Sequence, residues 1–172
     1  MDDAGTLAVA EALLANPTAP LVEDLPAAHV ASVAAAAGLE VTTDVAGNVV
    51  VRHRGAGGDP RRPLVLVAHL DHPGFAITGS NGGTVDLEFR GGLAAANALP
   101  GSPLHLFARG TVDPLGEAEL VTATEAGGRL TGGTARLVSG TVPADGFAMW
   151  GFAPYEVVDG RIPEATLEIV EA

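Results

Sequence analysis

The sequence predicts an α/β N-terminal segment, with two helices and a mixed sheet, followed by a small all-β barrel domain. Helical apolar patterns occur only near the start of the chain, whereas short apolar strands separated by glycine pairs fill the remainder. The 23 glycines and 12 prolines among 172 residues indicate many turns, as a β-rich body requires. The pattern changes from helices to short strands near residue 79, and this change divides the chain into residues 1–78 and 79–172.

The helices come first. One is predicted over residues 5–15, where leucines form an apolar stripe and Asn16-Pro17 ends the pattern. A second is predicted over residues 26–37, with a proline in its first turn and Gly38 as its C-terminal cap.

The strands of the N-terminal segment follow. A hairpin is predicted from strands 40–44 and 48–54, with Gly47 in its turn. After a polar loop, the apolar run Leu64-Val65-Leu66-Val67 predicts a buried strand over residues 63–70. With residues 75–78, this gives the segment three or four strands.

The second domain is predicted to consist of short strands joined by glycine turns. Gly91-Gly92 and Gly132-Gly133 lack the order of a phosphate-binding loop and are interpreted as hairpin turns. Phe147, Trp150 and Phe152 are expected to form one local cluster in the core. The alternative is an exposed aromatic patch for docking. The predicted strands are 84–90, 104–109, 117–124, 128–138, 155–158 and 165–170.

Composition excludes several function classes. The net charge of −12 argues against nucleic acid and anionic membrane as partners. No apolar run approaches the length that spans a membrane, and the acidic N-terminus lacks a signal-peptide pattern, so a cytoplasmic location is expected. Without cysteine, any metal must be bound by His, Asp or Glu.

The candidate chemistry lies where the apolar run ends, at His69 and Asp71. Residues two apart on an extended segment point the same way, so both side chains can face one site. A neutral imidazole is a good ligand for zinc or cobalt, and a nearby carboxylate can orient it. From spacing alone, an ordinary His–Asp pair explains the pattern equally well. His29, His53 and His105 are interpreted as structural residues.

Two motifs carry a family resemblance. Asp44-Val45-Ala46-Gly47-Asn48 and Ala68-His69-Leu70-Asp71-His72-Pro73-Gly74-Phe75 resemble the D-x-x-G-N and A-H-x-D-E-x-G-F motifs of the glutamyl/deblocking aminopeptidase family. These are co-catalytic two-metal peptidases that include the tetrahedral aminopeptidases. The resemblance implies that His69 binds a divalent metal, zinc or cobalt, and that Asp71 orients the site. The chain differs at His72, where the family usually has Glu, and at Pro73.

The resemblance further implies a peptide substrate, an inserted barrel domain and a possible homo-oligomer. It extends over residues 5–162, but the family's bridging Asp, Glu-Glu pair and final His have no counterpart here. A two-metal hydrolase needs a bridge and a base, so we expect no aminopeptidase activity from this chain alone. Two alternatives are a non-catalytic binding or oligomerisation module and a metal-dependent amidase or deacylase on the same scaffold.

Overall fold

The computed structural model describes residues 3–53 and 64–150. The first part is helical and ends in a two-stranded antiparallel hairpin, and the second part is a closed six-stranded antiparallel barrel. The predicted fold class is therefore confirmed. The elements of the first part are α1 (Asp3–Leu14), α2 (Asp24–Ala36), β1 (Glu40–Thr43) and β2 (Val49–Arg52). The barrel strands are β3 (Gly74–Asn81), β4 (Thr84–Arg90), β5 (Pro103–Ala108), β6 (Gly116–Ala126), β7 (Arg129–Gly140) and β8 (Gly146–Trp150).

The barrel closes in the order β3-β4-β7-β6-β5-β8, and β8 returns to pair with β3. Strands β4, β5 and β7 alternate buried and exposed residues over much of their length, because one face of each points into the barrel. The interior is filled by apolar side chains, among which Phe75, Leu104, Leu106 and Leu120 are almost completely buried. Burial of this apolar interior is the main stabilising contribution to the barrel.

A second, smaller core lies on the outer surface of the barrel. The strap, which we define as residues Pro17–Glu23 between α1 and α2, places Ala19 and Val22 against Phe107, Phe147 and Met149. The two phenylalanine rings stack with centroids 5.4 Å apart. The strap therefore attaches the helical part of the chain to the barrel.

The structure corrects the predicted strand at 63–70. Its described residues, 64–70, belong to no strand, and the side chains of Leu64, Leu66 and Val67 are 86%, 87% and 91% exposed. An apolar run becomes a buried strand only beside neighbouring strands that accept its backbone hydrogen bonds. No strand among the described residues pairs with this run. The domain boundary after residue 78 stays a prediction, although β3 extends across it as a barrel strand.

Two further interpretations are wrong. Gly132-Gly133 lies inside β7 rather than in a turn, because a barrel strand needs small residues where neighbouring backbones approach closely. Phe147 and Trp150 do not share one cluster, because they lie on opposite faces of β8. Trp150 packs on Phe75 and Phe89 with the barrel interior, whereas Phe147 packs under the strap.

Several sequence predictions lie outside the described residues, namely Phe152 and the strands at 155–158 and 165–170. The sequence pattern does not predict β8, the strand that contains Phe147 and Trp150. Within the described ranges, no helix is long and apolar enough to cross a membrane.

Candidate functional site

The candidate site is the segment Leu64–Pro73, which has no regular secondary structure and leads directly into β3. Its first four residues are exposed and apolar, and its last four are half-buried. At its end, Pro73 lies against Gly91, where an added Cβ would come within 3.0 Å of the proline side chain. This contact sets the direction in which the segment enters the barrel.

His69 and Asp71 are in direct contact. The Nδ1 atom of His69 lies 3.1 Å from Oδ1 of Asp71 and 3.0 Å from its backbone oxygen. Both of these oxygens are acceptors, so Nδ1 carries the proton and donates it to them. The Nε2 atom of the neutral ring then keeps a free lone pair, which is the form that a metal ligand requires. The His69 side chain is 81% exposed, so a partner can reach it from solvent.

His72 has different surroundings from His69. It is half-buried, and burial lowers the pKa of its imidazole, with a smaller contribution from the positive charge that His69 can carry. The carboxylate of Asp71 opposes this shift. His72 is therefore neutral at pH 7, because the pKa of an unperturbed imidazole already lies below 7.

The described residues do not form a complete metal site. Across residues 3–53 and 64–150, no group of three or more His, Asp or Glu side chains is arranged to hold a metal ion. Zinc in proteins takes four ligands in structural sites, and three protein ligands plus water in catalytic ones. His69 offers one nitrogen donor of this kind, and Asp71 is already engaged with its imidazole. Within the described ranges, the structure thus places the two predicted residues in contact without completing a set of metal ligands.

The other three histidines lie apart from this segment. His53 is exposed at the end of β2, and His105 lies on β5 with its ring 6.3 Å from that of Phe107. His29 lies on α2, and its buried Nε2 has no hydrogen-bond partner among the described residues. A sequence pattern cannot reveal such a buried nitrogen, because its burial depends on tertiary packing.

The D-x-x-G-N motif forms the turn of the β1–β2 hairpin. Oδ1 of Asp44 accepts hydrogen bonds from the backbone N–H groups of Ala46 and Asn48, each at 2.9 Å. Its Oδ2 accepts one from the Asn48 side chain at 2.8 Å. The Asn48 side chain and backbone are the largest causes that lower the pKa of Asp44. The motif is explained locally, since Gly47 takes a φ of +91° that suits glycine.

The family resemblance rests on these two motifs, at residues 44–48 and 68–75. In the structure, the first is a hairpin turn, and the second runs from an exposed, irregular stretch into the buried start of β3. Comparison of the chain with protein-family models, with curated proteins and with solved structures gives no match.

Proposed function

We propose that this chain is a module of a metal-dependent aminopeptidase type, in which His69 is one metal ligand and Asp71 orients it. The contact between Nδ1 of His69 and the Asp71 carboxylate is the observation that supports this role. Carboxylates hold metal-binding histidines in this way, because the hydrogen bond fixes the ring and raises its basicity. The substrate class is a peptide with a free N-terminus, and zinc or cobalt is the metal.

The same proposal holds that the chain alone does not hydrolyse peptides. A two-metal hydrolase needs a bridging group and a base that activates water. Among the described residues, the segment carries His69, Asp71 and His72, and these side chains are not arranged as a group that could hold a metal ion. Activity therefore depends on carboxylates that these residues do not supply.

Metal binding tests the role of His69. We expect Co²⁺ added to ¹⁵N-labelled protein to broaden the amide signals of residues near position 69. His69→Ala should abolish this broadening, and His53→Ala is the matched control because His53 is also exposed. The proposal is contradicted if His69→Ala leaves the broadening unchanged, or if both variants weaken it equally.

Hydrolysis tests the second part of the proposal. We expect no turnover of aminoacyl-p-nitroanilides by the purified chain with zinc or cobalt. N-acetylated amino acids, assayed in parallel, address the amidase or deacylase alternative. Chelator-sensitive hydrolysis of either substrate, lost in His69→Ala, would show that the chain already holds a complete site.

The exposed apolar run favours a second candidate, an assembly module. Leu64, Val65, Leu66 and Val67 are 70–91% exposed, although their residue types are typical of protein interiors. An apolar segment whose backbone has no strand partner is a template for pairing with another chain. In this candidate function, the run pairs with the same run of a second copy.

The oligomeric state tests the assembly candidate. We expect a dimer in light scattering coupled to size-exclusion chromatography, and a monomer after Val67→Lys. Val45→Lys is the matched control, since Val45 is equally exposed but lies alone in the hairpin turn. A wild-type monomer, or a dimer that survives Val67→Lys, would rule out pairing through this run.

A further inference from the structure

A cleft of about 280 Å³ lies where the strap meets the barrel, and neither His69 nor Asp71 lines it. We call it the seam cleft. One side is formed by Ala19, Pro20 and Val22 of the strap. The opposite side is formed by Ala76–Thr78 of β3 and the first residues of β8. The sequence does not predict this cleft, because its residues come from five separate parts of the chain.

The cleft exists because the barrel is only briefly paired at this seam. Strands β3 and β8 share two residue pairs, Phe75 with Ala148 and Ala76 with Phe147. Strand β3 continues to Asn81, whereas β8 begins only at Gly146. The part of β3 beyond Ala76 therefore faces a gap instead of a neighbouring strand on this side.

Three charged side chains line the seam cleft: Arg90, Arg109 and Asp145. Arg90 donates to the backbone oxygen of Pro20 at 3.3 Å, and Arg109 donates to the backbone oxygen of Leu21. These carbonyls position both guanidinium groups but carry no net charge. Each guanidinium has five N–H donors, so each keeps donors for a further partner.

Two of these charges lack a counter-ion among the described residues. Arg90 has Glu88 at 3.7 Å. In the described part of the chain, no carboxylate lies within 4.0 Å of Arg109, and no cationic group lies within 4.0 Å of Asp145. Arg109 and Asp145 directly follow and precede the paired residues Ala108 and Gly146, so they are neighbours across the β5–β8 ladder. The cleft thus presents positive and negative charge to the same small space.

We propose that the seam cleft binds a small zwitterion, an α-amino acid. Its carboxylate binds the guanidinium groups of Arg109 and Arg90, because a planar guanidinium matches a carboxylate in two-point hydrogen bonding. Its ammonium group binds the carboxylate of Asp145. A simple anion satisfies the arginines but is repelled by Asp145. The volume lies just below the roughly 300–1,000 Å³ of typical small-molecule sites, so it suits an amino acid better than a peptide or nucleotide.

Titration of ¹⁵N-labelled protein with L-alanine and L-leucine tests this proposal, with acetate and ethylammonium as single-charge probes. We expect saturable shifts of the Thr78 and Gly146 amide signals, with a Kd on the order of 1 mM for a two-charge site open to solvent. Acetate should bind more weakly than either amino acid. The absence of any shift at about 100 mM amino acid, where a 1 mM site is saturated, overturns the proposal.

Variants separate the two halves of the site. Arg109→Gln should weaken amino-acid binding about tenfold or more, as expected for loss of a charged hydrogen bond. Arg136→Gln is the control, because Arg136 of β7 pairs with Glu119 of β6 and lies outside the cleft. Asp145→Asn leaves the strap contacts intact, and it should weaken amino-acid binding while strengthening acetate binding. If Asp145→Asn leaves amino-acid binding unchanged, the site does not recognise a zwitterion.

Discussion

Leu21 is in a conformation that its side chain disfavours. Its φ of +72° is the only positive value at a non-glycine residue among those the structure describes. It lies in a tight turn closed by a hydrogen bond of 2.8 Å from the N–H of Val22 to the oxygen of Ala19. Pro20 and a positive φ at the next residue are features of a type II turn, where glycine is the preferred residue. The Leu21 side chain is 69% exposed, so packing offsets little of this strain.

Leu21→Gly should therefore stabilise the protein slightly. Removing the strain of the left-handed conformation stabilises the folded state by about 1–2 kcal/mol. The greater freedom of glycine in the unfolded chain lowers the stability by about 0.5–1 kcal/mol. We expect the free energy of unfolding to rise by about 0.5 kcal/mol, measured as a higher urea midpoint at constant m-value. Leu21→Ala keeps the Cβ and should give no such gain. Equal gains from both substitutions would point to the exposed side chain rather than to backbone strain.

The β1–β2 hairpin depends on the Asp44 carboxylate, which accepts three hydrogen bonds in the turn. Because these bonds favour the charged form, the pKa of Asp44 lies below its ordinary value of 3.8. The stabilisation is fully present above the unfolded pKa, near 3.8, and is lost as the pH falls through the lower folded pKa. The hairpin is thus a pH-sensitive element only in strong acid.

Asp44→Ala should lower the melting temperature at neutral pH, because two backbone donors and one side-chain donor lose their acceptor. We expect the difference in Tm between wild type and variant to be constant above pH 4 and to shrink as the pH falls below 3.8. Thermal unfolding followed by circular dichroism over this range measures it. A difference that persists unchanged at the lowest pH would mean that the charge of Asp44 is not involved.

Local patterns predicted most elements but not their partners. Strand β4 matches its prediction, and α1, α2, β5, β6 and β7 begin and end within a few residues of theirs. Strand β4 has the clearest periodicity, because buried and exposed residues alternate along it. The apolar run at 64–67 has the residue types of a buried strand, but burial depends on neighbours that a local pattern does not specify. The contact of His69 with Asp71 followed from i, i+2 spacing, whereas the seam cleft depends on tertiary pairing.

Closure of the barrel could not be inferred from the sequence, because it depends on β8. Phe147, Ala148 and Met149 are all buried, since the barrel interior covers one face of the strand and the strap covers the other. A strand covered on both faces has no alternation, and this one is only five residues long. The jump from β4 to β7 in the strand order is likewise a property of the whole molecule.

The closed barrel also requires backbones to approach closely at Gly132 and Gly133 of β7. A Cβ at Gly133 would overlap the backbone oxygen of Thr122 on β6, and one at Gly132 would overlap that of Leu87 on β4. Both obstacles are backbone atoms of paired strands, so neither can move without opening the ladder. The glycine pair that resembles a turn in sequence is instead what allows β7 to lie between two neighbours.

Gly133→Ala should therefore destabilise the whole barrel, by about 3 kcal/mol or more, because overpacking against fixed backbone cannot relax. Gly79→Ala in β3 is the matched control: its Cβ would meet only the flexible Asp86 side chain, at 3.2 Å. We expect the control to change the unfolding free energy by less than about 1 kcal/mol. Gly79 has no positive φ, so alanine fits its backbone conformation, and alanine also reduces the conformational entropy of the unfolded chain. Urea unfolding of both variants measures the contrast. Equal losses would show that the barrel resists any added side chain, and that close approach at Gly133 is not the specific cause.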